Sequence, residues 1–293
     1  MHEYGIREGY RDKDFLRNAF FDFIDRIYPG LDFKIWYEKG FWLDNYIPHS
    51  IVIDDKIVSN ASITKMALLV DGNIMKGIQV GTVGTLPEYR RRGLSRILMQ
   101  HILNKYSDSM EIIFLYSSKE ALSFYPKFGF DHYNEVIFRQ TQNIPEPDYS
   151  ARKLDIGTDR DFSLMREILG RRTPVSRLFG ALDYDFITIW HILNLHPNHL
   201  YYLEKEGIII IASESNNQIH IWDVIYDKPM EIQEALPQII KSEDIKSINF
   251  YFSPDLLGFN YDDTIVDSES PLFVKGTFPI GGRKFKFPST AQT

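Results

Sequence analysis

The chain has 293 residues and no cysteine. That absence excludes disulfides, thiolate catalysis and every Cys-ligated metal site, and it fits a reducing compartment. Long apolar runs are missing as well: none approaches the roughly 18 residues a membrane helix needs, and Met1-His2-Glu3-Tyr4-Gly5-Ile6-Arg7 lacks the apolar core of a secretion signal. A soluble cytoplasmic protein is expected. Positive charge is in deficit, with 33 Lys and Arg against 40 Asp and Glu and a formal net charge of -7. Nucleic acid and anionic membrane are therefore not expected partners, since both call for a broad basic surface. What remains is ordinary for a globular chain, 44% apolar and 25% charged, and long enough for about two domains. The 21 Phe and 17 Tyr lie along both halves, as core and strand residues do.

A boundary is expected near Gln142-Asn143-Ile144-Pro145-Glu146-Pro147-Asp148, which carries two prolines and no apolar periodicity. Before it, the pattern predicts helices at Lys13 to Ile27 and Phe33 to Trp42. Strands follow at Ser50 to Ile53, Ile57 to Leu69 and Ile78 to Thr85, the first two joined by a turn at Asp54-Asp55-Lys56. Leu94, Ile97, Leu98 and Ile102 recur at helical spacing and predict a helix over Leu94 to Tyr106, then a strand at Glu111 to Tyr116. The second half repeats the order. Asp12-Lys13-Asp14-Phe15 returns as Asp159-Arg160-Asp161-Phe162, Ile35-Trp36 as Ile189-Trp190, Ala61-Ser62 as Ala212-Ser213, and Gly129-Phe130 as Gly258-Phe259. Strands at Ile219 to Tyr226 and Ile248 to Phe252, with a helix at Glu231 to Lys241 between them, complete the parallel.

The densest local feature is Gln79-Val80-Gly81-Thr82-Val83-Gly84-Thr85-Leu86-Pro87-Glu88-Tyr89-Arg90-Arg91-Arg92-Gly93-Leu94-Ser95, which reads as strand, basic loop and helix. Gly84 inside a strand marks a bulge or a close backbone approach. Pro87 ends the strand, and Gly93 permits torsions that a side chain would resist. The free N–H groups that open the next helix, its dipole and three arginines together make a cradle for a pyrophosphate. The Walker and dinucleotide-binding patterns are both absent at this junction.

Pro87 to Ser95 resembles the acyl-CoA loop of the GCN5-related N-acetyltransferases (GNAT), with Arg90, Gly93 and Ser95 in the places of that family's Arg or Gln, its Gly, and its final Gly or Ala. Tyr116-Ser117-Ser118-Lys119-Glu120-Ala121-Leu122-Ser123-Phe124-Tyr125-Pro126-Lys127-Phe128-Gly129-Phe130 is similar to the family's closing segment. The resemblance implies acetyl-CoA as co-substrate, held by Val83, Gly84, Thr85, Arg90, Arg91, Arg92, Gly93, Leu94, Ser95 and Ser118, with Ser117 as the alternative at the last place. It implies that Val83 to Thr85 pair with the pantetheine arm, and that Tyr125 protonates the leaving thiolate. A phenol with a pKa near 10 keeps its proton for that task at neutral pH. Direct attack by an amine needs that amine deprotonated; Glu111, Asp44, Asp131 and His132 are candidate bases by residue type alone.

The two-copy order resembles the enhanced-intracellular-survival type of tandem acetyltransferase. It implies an α/β (α+β) chain of two tandem GNAT-like domains, each a mixed, mostly antiparallel sheet flanked by helices. Residues 1–143 would be catalytic, and residues 151–293 a degenerate copy forming a wall or lid. There the loop is replaced by Tyr226-Asp227-Lys228-Pro229-Met230-Glu231, without arginine or glycine. That type also carries a sterol-carrier-like domain whose terminal carboxylate enters the active site. With no room for the domain here, the carboxylate role is not expected to carry over.

The expected activity is acetyl transfer from acetyl-CoA to a primary amine of a small molecule or peptide. The alternative is a non-catalytic acyl-CoA binding or sensing module. No metal is expected: His191, His196 and His199 are read as belonging to a surface turn, because Pro197 breaks the helix that would align them. A serine hydrolase lacks its Gly-x-Ser-x-Gly signature. The oligomeric state is not readable from these patterns.

Overall fold

The computed structural model describes residues 5–293. Turn chemistry sets its hairpins. Asp54 and Asp55 hold φ of 47° and 62°, and Asp71 and Gly72 hold 50° and 77°, the left-handed pairs that two-residue hairpins need. The first pair joins β2 (Tyr46–Ile53) to β3 (Lys56–Val70), and the second joins β3 to β4 (Asn73–Thr85). A short β1 (Ile6–Glu8) borders β2. Helix α1 (Asp14–Ile27) buries Phe20, Phe23 and Ile24, and α2 (Phe33–Glu38) starts on an Asp32 cap that accepts from the Ile35 N–H. Helix α3 (Leu94–Tyr106) buries Leu94, Leu98 and Ile102 as its spacing predicts, while Ile97 falls outside that stripe and is exposed. Strand β5 (Ile112–Tyr116) lies parallel to β4, and β6 (Asp131–Gln140) closes the first half.

The second half follows a related order. It runs β7 (Arg152–Lys153), α4 (Asp159–Leu169), β8 (Phe179–Leu182), α5 (Asp185–Asn194), β9 (Leu200–Leu203) and β10 (Ile208–Ser215), and then β11 (Gln218–Ile225). The predicted helix at Glu231 to Lys241 is shorter than its pattern. It is one turn, α6 (Ile232–Ala235), followed by a 3₁₀ turn that starts at Leu236-Pro237, because proline supplies no N–H and crowds the preceding turn. Strands β12 (Ser247–Phe250) and β13 (Asp263–Gly276) complete it.

The two halves do not form separate sheets. All the strands join one mixed sheet in the order β1-β2-β3-β4-β5-β13-β6-β12-β11-β10-β9-β7, with β8 added on β3. The last strands of the halves have exchanged places: β13 lies between β5 and β6, and β6 pairs with β12. The fold class is the expected mixed α/β sheet flanked by helices, but fused into a single layer. Two splits in that layer matter for function. Strand β4 pairs with β5 only from Gly77 to Val80, and β11 pairs with β12 only from Gln218 to Ile221; beyond those residues each pair parts. None of the described helices is long and apolar enough to cross a membrane.

Candidate active site

A cavity of about 1070 Å³ opens where β4 and β5 separate. Its β4 wall is bent by a bulge: Asn60 pairs with Gly84 and Ser62 with Gly81, so Thr82 and Val83 together oppose Ala61, and Thr82 takes φ 50°. Side chains then satisfy the carbonyls of this edge. Asn60 Nδ2 donates to Thr82 O, Tyr28 Oη to Val83 O, Ser59 Oγ to Gly84 O and Arg90 Nε to Thr85 O. Tyr46 Oη meets Thr82 Oγ1 at 2.9 Å. The sequence placed the irregularity at Gly84. The structure puts it at Thr82-Val83, and Gly84 is small because a Cβ there would lie 2.8 Å from Ile27 Cγ2 of α1.

The basic loop folds as its composition requires. Pro87 to Tyr89 form a 3₁₀ turn, and Gly93 at φ 76° caps α3 without a side-chain acceptor. The first N–H groups of α3 are therefore open to an external anion. Val83, Gly84, Thr85, Arg90, Arg91 and Ser95 line the cavity, as does Ser118. Arg92 does not: it lies over the Tyr89 ring and donates to Glu88 O. Leu94 also turns away, its side chain buried in the core, leaving only its main chain for a ligand. Ser95 Oγ meets Thr85 Oγ1 at 3.0 Å, tying the helix start to the strand end.

Opposite this loop stands Tyr125, 5% exposed and packed edge-on against Phe124 and Phe130. Burial pushes its hydroxyl up to about 12, so it is a proton donor throughout the physiological range. Ser117 is buried and donates to Ser118 O, whereas Ser118 is exposed at the cavity mouth.

The far end of the cavity is apolar and aromatic. Phe33, Trp36 and Tyr46 come from the first half, and Ile187 and Trp190 come from α5 of the second. Trp36 Nε1 donates to Phe186 O at 2.7 Å, which locks α2 against α5. Sequence reading gave none of these wall residues a role at the site, although the Ile35-Trp36 and Ile189-Trp190 repeat marked their helices.

Thr293 also reaches this cavity. Gln79 Nε2 donates to a Thr293 main-chain oxygen at 3.2 Å, and Thr64 Oγ1 meets Thr293 Oγ1. Gly81 accommodates it: a Cβ there would lie 2.3 Å from Thr293 O. Gly81 was thus the available sequence signal, read only as part of a strand. The strap leading to Thr293 is held by buried groups. Thr290 Oγ1 donates to Asp223, which is also held bidentately by Arg172 at 2.8 and 3.0 Å. His191 Nε2 donates to Gln292 O at 2.7 Å. His191 and His196 are therefore buried rather than in a surface turn, and burial lowers them to about 4 and about 3.

None of the four candidate bases lines this cavity. Glu111 accepts from the Lys76 N–H, Asp44 pairs with Arg11, and His132 packs on Phe273. Asp131 lies on β6, paired with Val274.

Residues 27–133 match the family model of the acetyltransferase (GNAT) domain. Among curated proteins, none matches the sequence. Solved structures share the fold at low identity. A protein from Enterococcus faecalis V583 described as a probable N-acyltransferase is 13% identical with a TM-score of 0.62, over 92% of this chain and 71% of its own. Eis1 of Mycobacterium abscessus is 16% identical, TM-score 0.54, over 92% and 73%. A putative acetyltransferase of Pyrococcus horikoshii is 13% identical, TM-score 0.53, over 100% and 97%.

Proposed function

We propose, from the premise that residues 27–133 are a GNAT acetyltransferase domain, that the chain moves an acetyl group from acetyl-CoA directly to a primary amine. The reading divides the chain into a catalytic copy at residues 1–143 and a degenerate copy at residues 151–293 that builds the acceptor wall. One observation carries it. The open N-terminus of α3, the cavity-facing Arg90 and Arg91, the bulged β4 and Tyr125 all border one cavity.

The residues fit the co-substrate. Open N–H groups beside two guanidinium groups suit a diphosphate, and a strand edge that has left its neighbour offers main-chain bonds to an amide-bearing arm. Acetyl-CoA supplies the thioester carbonyl and the thiolate that leaves. With the Thr82 and Val83 carbonyls held by Asn60 and Tyr28, a main-chain N–H of this bulged strand polarises the thioester carbonyl. Tyr125 returns a proton to the departing sulfur, and the absence of cysteine excludes an acetyl-cysteine intermediate. The acceptor amine enters between Phe33, Trp36, Tyr46 and Trp190, which favour a cationic head or an apolar body. The Thr293 oxygen gives its nitrogen a hydrogen-bond acceptor. A cytoplasmic setting fits the cysteine-free composition.

The test is thiol release from acetyl-CoA across polyamines, aminoglycosides and lysine-containing peptides, with calorimetry of acetyl-CoA alone. Micromolar binding with amine-dependent thiol release is the expected result. Binding without release across the panel favours the non-catalytic acyl-CoA module, and no binding removes the co-substrate assignment.

A further inference from the structure

A second cluster of chemistry-bearing side chains lies away from the cavity, where β1, β2 and α3 meet. Glu8, His49 and His101 bring their ligand atoms within 4.8 Å of one another. Glu8 Oε2 stands 3.2 Å from His49 Nε2 and 3.3 Å from His101 Nε2. Four ligands held tetrahedrally at about 2.0–2.1 Å from a zinc ion are separated by about 3.3 Å, so both spacings are those of ligands sharing one ion.

The hydrogen-bond inventory leaves a place for a cation. His49 Nδ1 lies 3.1 Å from Ile47 O, a carbonyl that only accepts, so the ring hydrogen is on Nδ1 and Nε2 presents a lone pair. That Nε2 is wholly buried, has no hydrogen-bond partner among the described residues, and faces a carboxylate oxygen that also only accepts. Two acceptors at this distance repel unless a positive centre lies between them. His101 can satisfy its own contact by donating to Glu8, but that leaves His49 unanswered. A carbonyl behind a histidine, fixing its tautomer and turning its other nitrogen outward, is the second shell of a metal-binding imidazole.

We infer that Glu8, His49 and His101 form a binding site for a divalent transition metal, zinc or a similar nitrogen- and oxygen-seeking ion, with water completing its coordination. Two imidazoles and one carboxylate suit zinc, cobalt or nickel and disfavour magnesium or calcium. An approach from solvent exists, because the Glu8 and His101 side chains are 37% and 34% exposed. The site is structural in this arrangement: it clips β1 and the middle of β2 to the middle of α3, the helix whose first turn borders the cavity between β4 and β5. Lys105 opposes it, since its ammonium group holds Glu8 Oε1 and sets a positive charge beside the ion.

The test uses the full chain, stripped with a chelator and titrated with zinc or cobalt chloride. The thermal midpoint is expected to rise by about 5 °C at a metal concentration 100 times Kd, and cobalt is expected to give visible bands of a low-coordinate nitrogen and oxygen site. Because His49 is buried and its replacement risks the fold, the test rests on the partly exposed ligands. Glu8→Gln and His101→Asn should each abolish the bands and the stabilisation, while Lys105→Met should tighten binding. Absence of bands and of any shift in the natural chain overturns the site. So does a shift that survives both ligand variants, which would place the metal elsewhere, for instance on His191, His196 and His199.

Discussion

Two splits in one sheet face opposite fates. Between β4 and β5 the split is an open cavity; between β11 and β12 it is filled by the chain itself. Ser289 N donates to Tyr251 O and Ser289 Oγ to Trp222 O, while the Trp222 and Tyr251 rings stack at 4.1 Å across the gap. The loops differ in the same sense. Where the first has arginines and Gly93, the second has Asp227 paired with Arg171, and a Glu231 carboxylate lying against Gly258. A phosphate there would meet negative charge. The second split was closed by hydrogen bonds and packing, and the segment that closes it runs on to deliver Thr293 into the first. The second half thus contributes a strap and a wall to the cavity between β4 and β5.

Breaking the strap tests this contrast most severely. Asp223→Ala leaves Arg172 buried without its partner and frees Thr290; about 3–5 kcal/mol of stability should be lost in urea unfolding, with a raised KM for the amine. Tyr125→Phe attacks only the open split. Its kcat should fall about 100-fold or more, with acetyl-CoA affinity and unfolding midpoint unchanged; an unchanged kcat removes Tyr125 from the reaction. Gly81→Ala pushes against the delivered residue. A cost of about 1–3 kcal/mol, with a higher amine KM and unaltered acetyl-CoA Kd, is the expected pattern by unfolding, kinetics and calorimetry. Arg91→Ala should weaken acetyl-CoA about tenfold, whereas Lys228→Ala in the second loop should leave calorimetric binding as it was.

The smallest effect concerns pH. Since burial raises Tyr125 to about 12, its acid form persists, and turnover should climb as the amine deprotonates, with no descending limb until pH nears that value. The second half responds at the other end of the scale. His191 and His196 are held neutral by burial, at about 4 and about 3 in the folded chain against 6.5 unfolded. The unfolded chain therefore binds more protons as pH falls below about 6.5, and stability should be lost progressively from there towards about pH 3. Replacing His191 with Gln should flatten that loss in thermal melts.

Much of this was legible in advance where the cause is local. The Leu94-Leu98-Ile102 spacing set α3, Asp54-Asp55 set a hairpin, and the loop from Pro87 to Ser95 with the Tyr125 segment announced both sides of the cavity. The repeat of Ile35-Trp36 as Ile189-Trp190 identified two helices that turn out to pack on each other. Reading failed where two distant segments had to be matched. Arg92 and Leu94 looked equivalent to Arg91 and Ser95 in a motif, but packing turned one onto Tyr89 and the other into the core. Glu111, Asp44, Asp131 and His132 were chosen by type, and none lines the cavity. Glu8, His49 and His101 lie on three separate elements, with no spacing to connect them.

By itself, then, the sequence determined the torsions, periodicities and charges that act within a few residues: the hairpins, the basic loop before α3 and the absence of thiol chemistry. Only the tertiary structure decided which strand lies beside β5, which split stays open, and that Thr293 lies against Gly81. Those outcomes depend on competition among many strands and side chains for the same buried space, and a strand's pattern records that it must be covered without recording by what.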